Sequence, residues 1–278
     1  MRTSAPLDGQ GHPANTRGDR SIRSTNHAML TDLPPFETTA PGTVVIASLA
    51  LPVSLGAALC GGWYATLDPA EQARADRFRF AADREAYIAA HRLTRVLLAR
   101  FGDRAAPDWR FVTGRFGKPA IDPVQNHGGW QFSLSHTKGL VACALGRDAE
   151  LGLDVEARDR IVDALELAAH NFAPAEVAWL RALPAAQRQR DFLRLWTLKE
   201  ATVKATGQGL SASLADFAFT LDPIRIAFTG EDADDPARWQ FHQQTPTDRH
   251  LLALAVRRTV PGPRPVPVVG VALTTADL

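Results

Sequence analysis

One short stretch of the sequence places two carboxylates where they could act together. Between Leu151 and Glu156, apolar and polar residues alternate with the period of a half-buried strand. Asp154 and Glu156 therefore project from the same face, and we expect no cation beside them. Taken alone, such a pair is usually part of a solvated strand surface. The alternative is a pair of oxygen ligands for a divalent cation.

A second stretch, Trp196–Lys204, has the periodicity of a helix. Trp196, Glu200 and Lys204 recur at intervals of four residues and so share one helix face. A Glu–Lys pair of this kind is by itself an ordinary surface pair. If the helix meets the strand, however, three carboxylates and one ammonium converge. That set suits Mg²⁺, which usually takes one or two carboxylates together with substrate phosphates, and Lys204 would then lie near those phosphates.

The two stretches, in this order, resemble the paired signatures of the 4′-phosphopantetheinyl transferases. The family patterns are G-[IVL]-D-[IV]-E and W-[ST]-x-K-E-[AS]-x-x-K, and both are complete here, at Gly152–Glu156 and Trp196–Lys204. The resemblance implies transfer of 4′-phosphopantetheine from coenzyme A to a serine of an apo acyl or peptidyl carrier protein, with release of adenosine 3′,5′-bisphosphate. It also implies that the reaction depends on Mg²⁺, as in a holo-[acyl-carrier-protein] synthase.

The resemblance further assigns roles to single residues. Asp154, Glu156 and Glu200 would hold Mg²⁺. Glu200 would also take the proton of the carrier serine, while Lys204 would neutralise the pyrophosphate or protonate the leaving group. Whether Glu176 reaches the metal is left open. The coenzyme A contacts that the resemblance implies are Lys118 of a G-K-P loop, the pair Ser135 and His136, and also Arg84, Arg95, Lys199 and Lys204.

Length and composition are those of an ordinary globular protein. The chain has 278 residues, enough for one large or two small domains, and its net charge of +1 argues against nucleic acid or a membrane as partner. Cys60 and Cys143 lie among apolar residues and have no metal-binding spacing. Together with the lack of a signal peptide, they predict a cytoplasmic location. Arginine supplies nearly all basic side chains; the four lysines are Lys118, Lys138, Lys199 and Lys204.

Local patterns predict the elements that position these residues. Asp68-Pro69-Ala70-Glu71 is typical of a helix start, and helical periodicity continues, with a break near Ala81, to Phe101, where Gly102 fits the C-terminal cap. Further helices are expected at Asp159–Phe172, Pro174–Leu183 and Gln187–Thr206. Strands are expected at Thr43–Leu51, Trp109–Thr113, Trp130–His136, Leu140–Leu145, Phe217–Leu221, Ile224–Phe228, Trp239–Gln243 and Leu251–Val256.

This order of elements predicts an α+β fold. By resemblance to the Sfp-type branch of the family, we expect a pseudo-dimer of two similar halves with the active site in the cleft between them. The single-repeat, trimeric branch has shorter chains, so the length favours a monomer. The expected divisions are a disordered N-terminal arm (1–41), an N-terminal half (42–147), a C-terminal half (148–259) and a Pro-rich C-terminal tail (260–278). Whether translation starts at Met1 or at Met29 is left open.

Two other classes of function stay open at this point. One is a non-catalytic paralogue that binds coenzyme A or a carrier protein, against which the complete set of acidic ligands argues. The other is a different Mg²⁺-dependent nucleotide phosphotransferase, which the absence of a Walker-type phosphate loop disfavours.

Overall fold

Two β-sheets lie face to face, and a long helix covers the outer face of each. The computed structural model describes residues 42–114, 116–209, 212–230, 233–262 and 264–278, so the predicted arm at 1–41 lies outside the described residues. The strands are β1 (Val44–Ala50), β2 (Phe111–Thr113), β3 (Pro119–Ile121), β4 (Trp130–Thr137), β5 (Leu140–Arg147), β6 (Ala149–Ala157), β7 (Phe217–Thr220), β8 (Arg225–Phe228), β9 (Trp239–Thr247), β10 (His250–Arg258) and β11 (Val268–Leu273). The α-helices are α1 (Ala57–Tyr64), α2 (Pro69–Ala75), α3 (Ala81–Phe101), α4 (Ala164–Asn171), α5 (Pro174–Ala182) and α6 (Ala185–Thr206).

The two sheets repeat one arrangement of strands. The first has the order β11-β1-β5-β4 and the second β6-β10-β9. In each, a leading strand (β1 or β6) is followed by helices, by a small hairpin (β2–β3 or β7–β8) and by a long hairpin (β4–β5 or β9–β10). The second strand of that long hairpin pairs antiparallel with the leading strand. The predicted α+β fold is confirmed, and its element order repeats once along the chain.

The apolar residues form three clusters that correspond to these layers. One lies between α3 and the first sheet, and another between α6 and the second sheet. The third lies between the sheets, where Ile46 and Leu254 join Leu151, Leu153 and Val155. The apolar face of β6 is therefore buried between the sheets, as the alternation predicts. Its polar face turns to α6, and the two motif elements are therefore in contact.

Capping explains where several helices begin and end. At α2 the Asp68 carboxylate accepts from the Glu71 backbone N–H, and the Glu71 carboxylate accepts from the Asp68 N–H, as predicted. Gly207 ends α6 with a left-handed φ of 69°. α3 ends at Phe101 with Gly102 as its cap residue, as predicted, but the φ of −99° at Gly102 is not the left-handed conformation of a C′ glycine. Asp163 caps α4, which therefore starts later than predicted.

The end of the chain is a strand and not the extended tail expected for 260–278. β11 pairs in parallel with β1, from Val44 opposite Val268 to Leu49 opposite Leu273. The side chain of Leu273 is buried in the core beneath α3. The prolines of this segment suggest extended chain, but the apolar run after them pairs with the edge that β1 would otherwise leave open. The expectation of a tail is therefore wrong.

Besides β11, the helix α1 and the short strand β3 were not predicted. α1 contains two glycines and little amphipathic pattern, and it forms because Cys60 and Trp63 are buried against the first sheet's cluster. β3 has only three residues. Among the described residues, no helix is long and apolar enough to span a bilayer.

Candidate active site

Helix α6 crosses β6 so closely that only a glycine fits at the crossing. A Cβ atom on Gly152 would lie 1.8 Å from the carbonyl oxygen of Ala201 and 2.4 Å from the backbone nitrogen of Ala205. Such distances are far inside van der Waals contact. The glycine of the strand motif is therefore required by packing, and it lets the polar face of β6 meet the motif face of α6.

Asp154 is the most buried carboxylate of this contact. Its Oδ1 accepts from Lys204 Nζ at 2.7 Å and from Ser135 Oγ at 3.1 Å. Lys204 Nζ also donates to Ser135 Oγ at 3.0 Å. Asp154 Oδ2 is buried and has no hydrogen-bond partner within the described part of the chain. A buried carboxylate oxygen without a partner is costly, so Oδ2 is open to a ligand.

Glu156, the second strand carboxylate, forms an ion pair with Arg160. The guanidinium of Arg160 lies 5.5 Å from the ring centroid of Trp196 on α6. The expectation that the two strand carboxylates have no cation beside them is therefore wrong, because Asp154 is paired with Lys204. Sequence reasoning missed Arg160, although its position four residues after Glu156 was a weak signal.

Glu200 completes a set of three carboxylates. Burial raises its pKa, and the negative charge of Asp154 raises it further, while Lys204 and Arg160 act in the opposite direction. The pKa of Glu156 is raised for the same two reasons. Glu156 and Glu200 thus each lie within electrostatic reach of Asp154, Lys204 and Arg160. This confirms the predicted convergence of the strand and the helix and adds one cation to it.

The donor set is chemically suited to Mg²⁺. It consists of hard carboxylate oxygens, one of which, Asp154 Oδ2, is buried and unsatisfied. No group of three acidic, histidine or cysteine side chains in the described ranges has the arrangement of an assembled metal site. Lys204 pairs with Asp154, and Arg160 pairs with Glu156. The chemistry of the three carboxylates fits the metal.

Serine side chains bridge the two sheets at this site. The backbone N–H of Leu153 donates to Ser133 Oγ at 2.9 Å, and that of Val155 donates to Ser135 Oγ at 3.2 Å. β4 and β6 are therefore joined through side chains, whereas strands within a sheet are joined through backbone atoms. Ser135 is consequently held next to Asp154, so the predicted Ser-His pair lies at the edge of the carboxylate cluster.

His136 follows at the end of β4 and is exposed. Partial desolvation of its ring lowers the pKa of His136, and the nearby charge of Lys204 lowers this pKa further. Its position next to Ser135 is compatible with the predicted contact to a phosphate.

Lys118 links the G-K-P loop to both motif elements. Its Nζ donates to the carbonyl oxygen of Leu151 at 3.0 Å and to that of Ala205 at 3.1 Å. Burial lowers the pKa of Lys118 to about 8. A cavity of about 210 Å³ lies beside it and extends to Lys204; its other lining residues include Phe116, Phe132 and Leu134. Lys118 is thus close to the site, with its ammonium engaged by backbone carbonyls.

Lys199 does not reach the site. It is fully buried, and its Nζ donates to the carbonyl oxygens of Leu214 and Phe217 at 2.7 and 2.6 Å. It also pairs with Glu176 Oε2 at 2.7 Å. The expectation that Lys199 contacts coenzyme A is corrected, because its charge is used inside the C-terminal core. The same contact places Glu176 in that core and not among the carboxylates of the site.

The two arginines proposed for coenzyme A also have other partners. Arg95 is fully buried, and its guanidinium donates to both carboxylate oxygens of Glu71 at 2.9 and 2.6 Å. The expectation that Arg95 contacts coenzyme A is therefore corrected. Arg84 is partly exposed, pairs with Asp76 at 3.1 Å and lies 4.9 Å from the ring centroid of Tyr64. Arg84 is accessible, but no described contact links it to the carboxylate cluster.

A family model and the known relatives of this chain carry the same family description. The family model described as "ACPS: 4′-phosphopantetheinyl transferase superfamily" matches residues 150–255. The chain is 33% identical over 198 residues to the 4′-phosphopantetheinyl transferase HetI of Nostoc sp., a match that covers 69% of this chain and 79% of the relative. It is 29% identical over 155 residues to the 4′-phosphopantetheinyl transferase Sfp of Bacillus subtilis, covering 56% of this chain and 66% of the relative.

Among solved structures, the chain is similar to the holo-[acyl-carrier-protein] synthase (AcpS) of Thermotoga maritima. That match has a TM-score of 0.32 and 23% sequence identity, and it covers 40% of this chain and 64% of the other.

Proposed function

This chain belongs to the 4′-phosphopantetheinyl transferase superfamily, and we propose which of its residues carry out the transfer. It is a transferase of the Sfp type that moves 4′-phosphopantetheine from coenzyme A to a carrier protein. The alternative of a non-catalytic paralogue receives no support. We propose an apo acyl or peptidyl carrier protein as acceptor, modified on a serine hydroxyl. We also propose a cytoplasmic location, which the two buried free thiols support.

One observation supports the proposed site above all others. Lys204 of the helix motif lies 2.7 Å from Asp154 of the strand motif, and the charges of both act on Glu156 and Glu200. Asp154 Oδ2 is buried and has no hydrogen-bond partner among the described residues. Asp154, Glu156 and Glu200 would hold Mg²⁺. A bound Mg²⁺ neutralises charge on the pyrophosphate of coenzyme A.

Glu200 is the proposed general base. It would take the proton of the carrier serine as the serine oxygen attacks the phosphorus. The new oxygen–phosphorus bond forms as the bond to the leaving adenosine 3′,5′-bisphosphate breaks.

Lys204 is the proposed cation at the leaving group. It lies one turn beyond Glu200 on α6, and its ammonium is already 2.7 Å from Asp154. It would neutralise the phosphates and protonate the oxygen of the departing bisphosphate. Ser135 and His136 would contact the nucleotide end of coenzyme A. Lys118, with its two carbonyl partners, would position the loop that borders them.

The test is a direct assay of transfer. Purified protein is incubated with coenzyme A, Mg²⁺ and several apo carrier proteins, and the carrier is examined by mass spectrometry for a phosphopantetheine increment on serine. Asp154→Ala is expected to abolish the increment while circular dichroism shows a folded protein. Full transfer in the presence of a chelator would contradict the metal site, and transfer to no carrier would contradict the assigned function.

A further inference from the structure

Arg160 lies outside both motifs, yet three contacts hold it beside the carboxylates of the site. Its guanidinium pairs with Glu156 at the end of β6. The same guanidinium lies against the ring of Trp196, the first residue of the helix motif. Its backbone is held too, because Gln189 Nε2 of α6 donates to its carbonyl oxygen at 2.7 Å. Arg160 is therefore placed at the cluster by contacts with both motif elements.

The two cations take up two different carboxylates. Lys204 pairs with Asp154, and Arg160 pairs with Glu156. Glu200 lies within electrostatic reach of both cations. Three carboxylates brought this close repel one another unless cations stand among them. In the structure, protein cations supply that charge, and each strand carboxylate is engaged by one of them.

We propose that Arg160 is a displaceable counter-ion of the metal site, which holds Glu156 in the metal-free protein and releases it when the divalent cation binds. The inference rests on the proposed metal site of Asp154, Glu156 and Glu200. The exposed fraction of the Arg160 side chain is 39%, so the guanidinium can turn into solvent. Arg160 thereby sets the affinity of the free protein for metal.

The test measures metal binding without coenzyme A or a carrier protein. Metal-free protein is titrated with Mn²⁺, and the free ion is followed by electron paramagnetic resonance. Arg160→Gln is expected to bind Mn²⁺ about tenfold more tightly than the parent, because the ion no longer competes with a guanidinium for Glu156. Arg160→Met, which keeps an apolar stem for Trp196, is expected to do the same. Arg160→Lys should stay close to the parent.

Arg158→Gln is the matched control. It removes the same charge two residues away, from a guanidinium that donates to the carbonyl oxygen of Asp248 at 3.0 Å. Its Mn²⁺ affinity is expected to remain within about twofold of the parent, because long-range effects of one exposed charge are screened by salt.

The outcomes separate this inference from the metal site itself. Equal or weaker Mn²⁺ binding in Arg160→Gln and Arg160→Met would overturn the inference alone, provided the parent binds Mn²⁺ and Asp154→Asn does not. An equal gain in Arg158→Gln would overturn it as well. Failure of both Arg160 variants to fold would do so too, because a displaceable ion pair cannot be essential to the fold. A parent protein that binds no Mn²⁺ would overturn the metal site and the inference together.

Discussion

At the scale of single residues, the ammonium of Lys204 has two hydrogen-bond partners in the site. It contacts Asp154 on β6 and Ser135 on β4, so it joins the two sheets where the serine bridges hold them. Both partners accept from one compact ammonium. Lysine can be a point charge on a flexible stem and can give up its proton, whereas the arginine fork is planar and stays protonated.

The first prediction follows from this position. Lys204→Arg is expected to lower turnover by about two orders of magnitude, the size typical of general acid–base help, with a much smaller loss of coenzyme A affinity. The measurement is steady-state kinetics of carrier modification. Lys138→Arg is the matched control, because Lys138 is exposed and should tolerate the exchange. Near-parental turnover in Lys204→Arg would mean that Lys204 only screens charge.

A second prediction concerns Glu71, a buried carboxylate on α2 that is not part of the candidate active site. Burial alone would raise the pKa of Glu71, but its hydrogen bonds with His91 and Arg95 outweigh that effect and lower the pKa to about 2. Because the folded-state pKa lies below the unfolded value of about 4.5, the stabilisation is complete above that value. It is lost as the pH falls from about 4.5 to about 2.

The shift corresponds to at most roughly 3 kcal/mol of unfolding free energy. Glu71→Gln is expected to be less stable at pH 7, because Arg95 loses its buried partner, and to show a flatter loss of stability below about pH 4.5. Urea unfolding at a series of pH values measures both effects. Glu166→Gln, on an exposed helix surface, should follow the parent curve. If Glu71→Gln had the same dependence of stability on pH as the parent, the Glu71 carboxylate would not be the stabilising group.

At the scale of elements, the site depends on how closely α6 approaches β6. The backbone of α6 fills the space that any side chain on Gly152 would need. Asp154 and Lys204 therefore meet at 2.7 Å only because a residue two positions earlier has no Cβ. Packing at one position thus sets the distances among the charged groups.

Gly152→Ala tests this dependence. The methyl group is expected to push α6 from β6, to lower the unfolding free energy by about 3 kcal/mol, at the upper end for overpacking, and to abolish transfer. Chemical denaturation and the transfer assay give the two readouts. Gly61→Ala is the control, because its Cβ would meet nothing within 4 Å and a helical alanine is favoured over glycine. Parental stability of Gly152→Ala would contradict the close crossing.

Elements with strong local patterns were the ones that the sequence predicted well. The alternation in β6, the capping box at Asp68 and the end of α6 at Gly207 depend on neighbours in the chain, and all three are present. The partners of Lys199 and Arg95 depend on which distant elements meet. Nothing next to those residues in the sequence indicates a buried Glu176 or Glu71. Their charges therefore looked available for a ligand.

At the scale of the whole molecule, the chain crosses from the second sheet back to the first. β10 lies in the second sheet, and β11 then joins the first beside β1. Residues after 260 thus contribute to the core beneath α3, together with residues near the start of the described chain. The sequence did not predict this return, because parallel pairing between distant segments leaves no local signal.

The fourth prediction measures what β11 contributes. Leu273→Ala is expected to lower the unfolding free energy by about 2–5 kcal/mol, as for other buried leucines. Pro265→Ala, at an exposed position before the strand, should change it by less than about 0.5 kcal/mol. Thermal and urea unfolding compare the two variants. Equal stability of both would mean that the pairing of β11 with β1 is dispensable.

The position of β11 also determines when the first sheet can be completed during synthesis. β1 is translated before β4 and β5, but the strand that covers its other edge is translated only after the strands of the second sheet. While the ribosome adds the second half of the protein, β1 presents an open edge, the kind of surface at which nascent chains pair with one another. The first half therefore depends on a strand that is made after the second sheet, and a chain truncated before residue 268 would keep that edge uncovered.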